Sequence, residues 1–210
     1  MTQANPGGRG LGIREDQKQA TREKVLEAAR DLFNDTGYDE TTIRAIAERA
    51  GVSVGSVFTT FASKAEVLSH VMETRLADLY AEFDRVVPFL RGSTADRLCS
   101  IFAIHYEFET RRVKLFLAHI AASYSPSNDP GVTPYGRNER LNAMLREVLD
   151  DGKTRGDVRP DLDADMAINV LKAAYAWNYR LAAANGAQAT ELSAAMDQQI
   201  AFIAEGWRPR

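Results

Sequence analysis

The chain has 210 residues, 45% of them apolar, so it can bury a real core and fits one helical domain or two small ones. A formal net charge of -3 argues against a generally basic nucleic-acid coat, yet leaves room for a local basic face, because groove binding needs positive charge only where phosphates approach. The single Cys99 excludes an internal disulfide, and no charged leader or long apolar run opens the chain, so a soluble cytoplasmic protein with no membrane partner is expected.

The opening stretch NPGGRGLG is too polar and glycine-rich to pack, and residues 1–16 read as a flexible arm. A helical pattern begins at Gln17, where Val25, Leu26, Ala29, Leu32 and Phe33 form one apolar stripe and Gly37 stands at a left-handed C-cap. After a connection from Tyr38 to Glu40, Thr42 can cap a second helix whose apolar face is Ile43, Ile46, Ala47 and Ala50 and which stops at Gly51. Ser53 can cap a third, very short helix through Phe58. Ser63 and Glu66 stand at capping-box spacing for a fourth. Residues 17–72 thus form a compact set of short helices.

Residues 73–210 read as longer helices. The predicted spans are Glu73 to Leu90, disturbed at Pro88, then Thr94 to Glu109 and Arg111 to Tyr124. SPSNDPGVTP is a loop by composition. Thr133 and Pro134 suit the N-cap and first position of a helix reaching about Asp151, GKTRGDVRPDLD is a polar turn, and two helices follow, Asp163 to Ala184 and Thr190 to Gly206. No alternating stretch rich in β-branched residues interrupts the series. The fold class is all-α, with a three-helix N-terminal domain and a larger C-terminal helical bundle.

GVSVG, residues 51–55, matches the G-x-S-x-G nucleophile elbow of serine hydrolases, which would make Ser53 a nucleophile. An elbow needs a strand running into its sharp turn, and here a helix precedes it. His70, His105 and His119 all fall on predicted helices, and no Asp/His pair follows at recognisable sites. The pentapeptide fits a tight turn between helices instead. Gly51 allows the reversal, small Ala47 permits close approach, and Val57 packs back on Ile46. That is a helix-turn-helix.

The stretch TREKVLEAARDLFNDTGYDETTIRAIAERAGVSVGSVFTTFASKAEVL, Thr21 to about Val71, resembles the DNA-binding region of the tetracycline-repressor (TetR) family. In a helix-turn-helix the second helix enters the major groove. Here it offers Val54, Gly55, Ser56, Thr59 and Thr60, while Arg44 carries the only guanidinium of the motif that can clamp a guanine. Thr42 and Lys64 sit at helix N-termini, where phosphate binds. The resemblance implies DNA contacts at Thr42, Arg44, Ser56, Phe58, Thr59, Thr60 and Lys64. Phe58 replaces the family's usual tyrosine, losing a phosphate donor, and Thr60 replaces a common histidine. Arg9, Arg14, Lys18, Arg22 and Lys24 outnumber Glu15, Asp16 and Glu23 near the start, so the arm can follow a DNA backbone.

The larger body concentrates Phe83, Phe89, Phe102, His105, Tyr106, Phe108, Phe116, His119 and Tyr124, with Trp177 later in the chain. Phe102, His105, Tyr106, Phe116, His119 and Trp177 are the effector-site candidates, a mostly apolar lining with a few polar anchors. The histidine spacing is not a metal motif, and neither cofactor nor enzymatic activity is expected. The last two helices carry more apolar surface than one chain needs. Val170, Leu171, Ala174, Leu181, Leu192, Met196 and Ile203 are therefore assigned to a homodimer interface, with Tyr175, Phe202 and Trp207 on other faces. The reading is a repressor released from an inverted-repeat operator in double-stranded DNA by a small apolar or aromatic effector. Alternatives are a serine hydrolase using Ser53 and a helical ligand-binding protein without DNA affinity.

Overall fold

A computed structural model describes residues 8–123 and 138–209. Among these the regular structure is entirely helical: α1 Gly8–Asp35, α2 Ile43–Ala50, α3 Val54–Thr60, α4 Lys64–Val86, α5 Thr94–Thr110, α6 Val113–Ser123, α7 Glu139–Arg155, α8 Ala164–Asn185 and α9 Ala189–Ala204, with a 3-10 turn at Val87–Phe89. No described helix is long and apolar enough to cross a membrane. The chain divides into two compact units, the first Met1–Thr74 with Ala118–Thr133, the second Arg75–Leu117 with Pro134–Arg210.

In the first unit, α1 packs on α2 and α3, and Val25, Ala28, Ala29 and Phe33 of α1 are buried, as are Ile46 and Ala47 of α2, Val57 of α3 and Val67, Leu68 and Val71 of α4. Phe61, which follows α3, is buried, and the Arg22 guanidinium stacks 4.9 Å above its ring. The chain leaves α1 through Gly37 in the left-handed region. The Thr41 hydroxyl then donates to the Gly37 carbonyl at 2.6 Å, holding the entry to α2.

In the second unit, α5 packs along α9 and against α7, and α8 packs on both α7 and α9. The α5–α7 crossing is close because Gly152 has no side chain: a Cβ there would collide with the Thr94 hydroxyl and come within 2.7 Å of Val158. Asp157 accepts the Thr94 amide at 2.6 Å and fixes the same crossing.

Several boundaries differ from the sequence reading. Helix α1 begins at Gly8 rather than Gln17: no proline stands between Gly8 and Asp35, and a helix already formed extends through Gly12 and Gly10 one hydrogen bond at a time. The separate helices expected on either side of Glu73 are one helix, because no glycine or proline stands between Lys64 and Val86; Pro88 ends it through the 3-10 turn. Helix α7 starts at Glu139, with Asn138 accepting the Leu141 amide as its cap, and runs past Asp151 to left-handed Gly156. The loop and cap expected over residues 124–134 lie outside the described residues, as do residues 1–7 of the arm.

Candidate nucleic-acid interface and effector site

Helix α2 ends at Gly51 with φ 66°, and the Gly51 amide closes onto the carbonyls of Ala47 and Glu48. Two residues later the Ser53 hydroxyl accepts the Ser56 amide at 3.0 Å and pairs with the Ser56 hydroxyl at 2.8 Å. Ser53 is therefore the N-cap of α3, entered from a helix and not from a strand, and the elbow reading falls. On the other side of the motif Thr42 caps α2 by accepting the Ala45 amide at 3.1 Å.

The expected DNA-facing residues share one unit. Thr42, Arg44, Val54, Gly55, Phe58 and Thr59 are exposed, and Ser56 and Thr60 are half-buried. Thr59 donates to the Gly55 carbonyl at 2.8 Å and Thr60 to the Ser56 carbonyl at 3.0 Å, so both hydroxyl hydrogens stay within α3. Lys64 departs from its expected role. Its ammonium donates to the carbonyls of Tyr38, Asp39 and Thr41 at 2.8, 3.3 and 2.9 Å and lies 4.3 Å above the Tyr38 ring. An ammonium has three hydrogens, and all three clamp the α1–α2 turn rather than face a phosphate.

In the second unit, four of the six effector candidates come together. Phe102, His105, Tyr106 and Phe116 are buried around Tyr175 and Tyr179, with ring centroids of neighbouring pairs 4.5–5.4 Å apart for Phe116–Tyr179, His105–Tyr175, Tyr106–Tyr175 and Phe102–Tyr175. A polar thread runs through these rings. The Tyr175 hydroxyl bonds to His105 Nδ1 and, at 2.8 Å, to the Tyr179 hydroxyl; Tyr106 donates to the Tyr175 carbonyl at 3.2 Å; Asn178 donates to the Tyr106 oxygen at 3.0 Å and exchanges hydrogen bonds with Gln199. Burial pushes the His105 pKa down to about 3, so this ring is neutral, and it raises that of the Tyr106 phenol. His119 is half-buried and belongs to the first unit. Trp177 lies exposed under the Arg180 guanidinium, 3.7 Å away, and does not join the cluster.

Sequence reasoning missed Tyr175, Tyr179 and Asn178, whose spacing of four and three marks a second stripe on α8. It also missed a buried ion pair: Arg75 Nη2 stands 3.1 Å from Glu109 Oε2, and Glu109 is fully buried with no further hydrogen bond to its carboxylate among the described residues. Burial raises the Glu109 pKa to about 7, against the opposing pull of Arg75. Separately, a solvent-open groove of about 720 Å³ has Leu79, Ile104 and Phe108 among its lining residues, and none of the six effector candidates lines it.

The dimer assignment needs correction at three positions. Leu171, Leu192 and Met196 are fully buried inside the single chain, so they build its own core and leave no surface for a partner. Ala174, Leu181 and Ile203 are half-buried, and Val170 is exposed. Tyr175 and Trp207, expected on outer faces, are buried as well. The apolar surface left uncovered is Met166, Val170 and Trp177 along one face of α8, with Phe202 of α9 82% exposed.

A capped helix-turn-helix carried in one chain with a larger helical unit of buried aromatic and polar groups defines a helix-turn-helix regulator. Residues 25–71 match the model of bacterial regulatory proteins of the tetR family. The chain is 30% identical over 160 residues to the HTH-type transcriptional repressor KstR2 of Mycobacterium tuberculosis, covering 74% of this chain and 78% of that one. With KstR2 of Mycolicibacterium smegmatis the identity is 28% over 160 residues, 74% and 76% of the two chains. Among solved structures, Thermus thermophilus FadR, a TetR family repressor in complex with lauroyl-CoA, aligns with a TM-score of 0.72 at 25% identity over 90% of this chain and 96% of that one. The ketosteroid regulator KstR2 of Mycobacterium tuberculosis aligns at 0.56, also at 25% identity, over 90% and 95%. The chain belongs to the TetR family and is a ligand-responsive, DNA-binding transcriptional repressor.

Proposed function

We propose that this repressor acts in the cytoplasm as a homodimer on an inverted-repeat operator, and that a small molecule with a large apolar part releases it. The uncovered face of Met166, Val170, Trp177 and Phe202 supports pairing with a second copy, since apolar side chains this exposed gain from being covered. Two copies present two helix-turn-helix motifs, each with Thr42 and Arg44 of the α2 segment and Val54, Gly55, Ser56, Phe58, Thr59 and Thr60 of α3 toward DNA. Arg44 is exposed and clamps a guanine edge. Replacing it with alanine costs about 1–3 kcal/mol on the specific site and relaxes preference at one base pair.

The observation that carries the effector reading is the buried ring cluster with its threaded hydroxyls, an apolar wall with polar anchors at Phe102, His105, Tyr106 and Phe116. Trp177 stands apart from it, and with His119 of the first unit is a secondary candidate. The lauroyl-CoA bound by the Thermus relative supports an effector with a long apolar portion. Because an effector shifts an equilibrium only by its differential affinity, it binds the DNA-free state more tightly. The test is titration of lauroyl-CoA into the complex with selected operator DNA. Release of the unmodified protein, with Phe102→Ala and Tyr106→Ala still binding DNA but resisting release, is expected. Equal release of all three displaces the site, and no release of any rejects the acyl thioester. Sedimentation at micromolar concentration tests the dimer, and a monomer bound to a palindrome in a single step rejects it.

A further inference from the structure

Helix α3 is seven residues long, VGSVFTT, and contains no arginine, lysine, asparagine, glutamine, histidine or carboxylate. Bidentate hydrogen bonding to a base edge is therefore impossible from this helix, since every side chain able to make it is missing. The hydroxyls that remain are engaged: Ser56 with Ser53, Thr59 with the Gly55 carbonyl, Thr60 with the Ser56 carbonyl. Their free lone pairs can accept one hydrogen bond each, which separates bases weakly. Yet the helix displays two large apolar side chains to solvent. Val54 is 39% and Phe58 54% exposed, one turn apart on the same face, while Val57, about a quarter turn round the helix from that face, is buried. Beside them on the helix surface Gly55 has no Cβ, and the nearest atom to where one would stand is Ser53 Oγ at 3.7 Å, so another surface can approach closely there.

The major groove offers one apolar base-specific feature, the C5-methyl of thymine. We propose that Val54 and Phe58 form an apolar clamp that reads a thymine methyl in each half-site, so that α3 selects T·A pairs by burying a methyl group and not by hydrogen bonding. This rests on the DNA-binding role of the motif and adds to it the feature read. It also gives Phe58 a role that a tyrosine hydroxyl is not needed for. Arg44, on α2, supplies the complementary polar reading at a neighbouring guanine.

Selection of sites from random duplexes by the full-length protein, followed by replacement of each enriched thymine with deoxyuridine, tests this directly. The replacement removes only the methyl and keeps every Watson–Crick and groove hydrogen bond. One position in each half-site should weaken binding about four-fold when demethylated, and about fifteen-fold when both half-sites are changed, the cost of uncovering one methyl-sized group each time. Phe58→Ala and Val54→Ala should bind more weakly and lose the discrimination between thymine and uracil, whereas Phe58→Tyr, which keeps the ring, should retain it. Circular dichroism of both alanine variants should match the unmodified protein, since both side chains are exposed. If sites are enriched but no thymine is sensitive to demethylation, or if both alanine variants keep the full sensitivity, the clamp is wrong while DNA recognition stands. Failure to enrich any sequence overturns the clamp together with the sequence-specific reading beneath it.

Discussion

In the reading unit, the hydroxyls of Thr36, Thr41, Ser53, Ser56, Thr59 and Thr60 find partners three to five residues away along the chain. In the second unit, Tyr106, His105 and Asn178 reach partners 69, 70 and 72 residues away. The first pattern lets a short motif hold its shape from its own caps, as a helix presented to DNA requires. The second ties α5, α8 and α9 into one arrangement whose loss is felt across the unit, as the proposed effector response requires. Lys64 is an exception in the reading unit. Its ammonium spans 23 to 26 residues to clamp the α1–α2 turn.

The sharpest way to break the contrast is at the ion pair of the second unit. Arg75→Ala leaves Glu109 buried without its cation and, well above pH 7 where the carboxyl is ionised, should cost about 3–5 kcal/mol in denaturant unfolding, more than any single change in the reading motif. Glu109→Gln removes the titrating group itself. With its folded pKa raised to about 7, native Glu109 holds a proton that the unfolded chain has released, so its contribution to stability falls as pH rises from the ordinary carboxylate range through about 7. Glu109→Gln should therefore gain on the unmodified protein between pH 5 and about 7.5 and then run parallel to it. Unfolding midpoints that stay parallel over the whole range would show that this carboxylate does not titrate there.

Next in size is Lys64→Met, which keeps the stem but frees three carbonyls of the turn. It should lower stability by about 1.5–3 kcal/mol, the value of hydrogen bonds to a charged group, and leave the salt dependence of DNA binding unchanged. A salt slope lower by about one unit would instead return Lys64 to the phosphate backbone. Thr42→Ala removes a single local cap and should cost about 1 kcal/mol, read as a small drop in melting temperature. The smallest effect belongs to Asp84→Asn: the Arg140–Asp84 pair is exposed on both sides, so solvent screening leaves it within about 1 kcal/mol and near zero at high salt.

How far each region was legible follows the same division. The Gly51 turn, the Thr42 and Ser53 caps and the α2 face of Ile46 and Ala47 could be read because each depends on residues within a few positions. The same local logic mistook Lys64 for a phosphate ligand, since an N-terminal lysine looks free until Tyr38 and Thr41 are folded over it. Glu109 carried no signal, for a carboxylate near a helix end reads as solvated until its surroundings close.

The sequence by itself determined the all-α class, most of the helix order and the helix-turn-helix, because helical periodicity, caps and glycine stops act over one or two turns. Only the tertiary structure decided which stripe of α8 is core. Leu171, Tyr175 and Asn178 are buried and Met166, Val170 and Trp177 are left outside, although both sets repeat at helical spacing. Two apolar stripes on one helix are equivalent in sequence until a neighbour covers one of them, and here α5 and α9 made the choice through the hydrogen bonds of Tyr106 and Gln199.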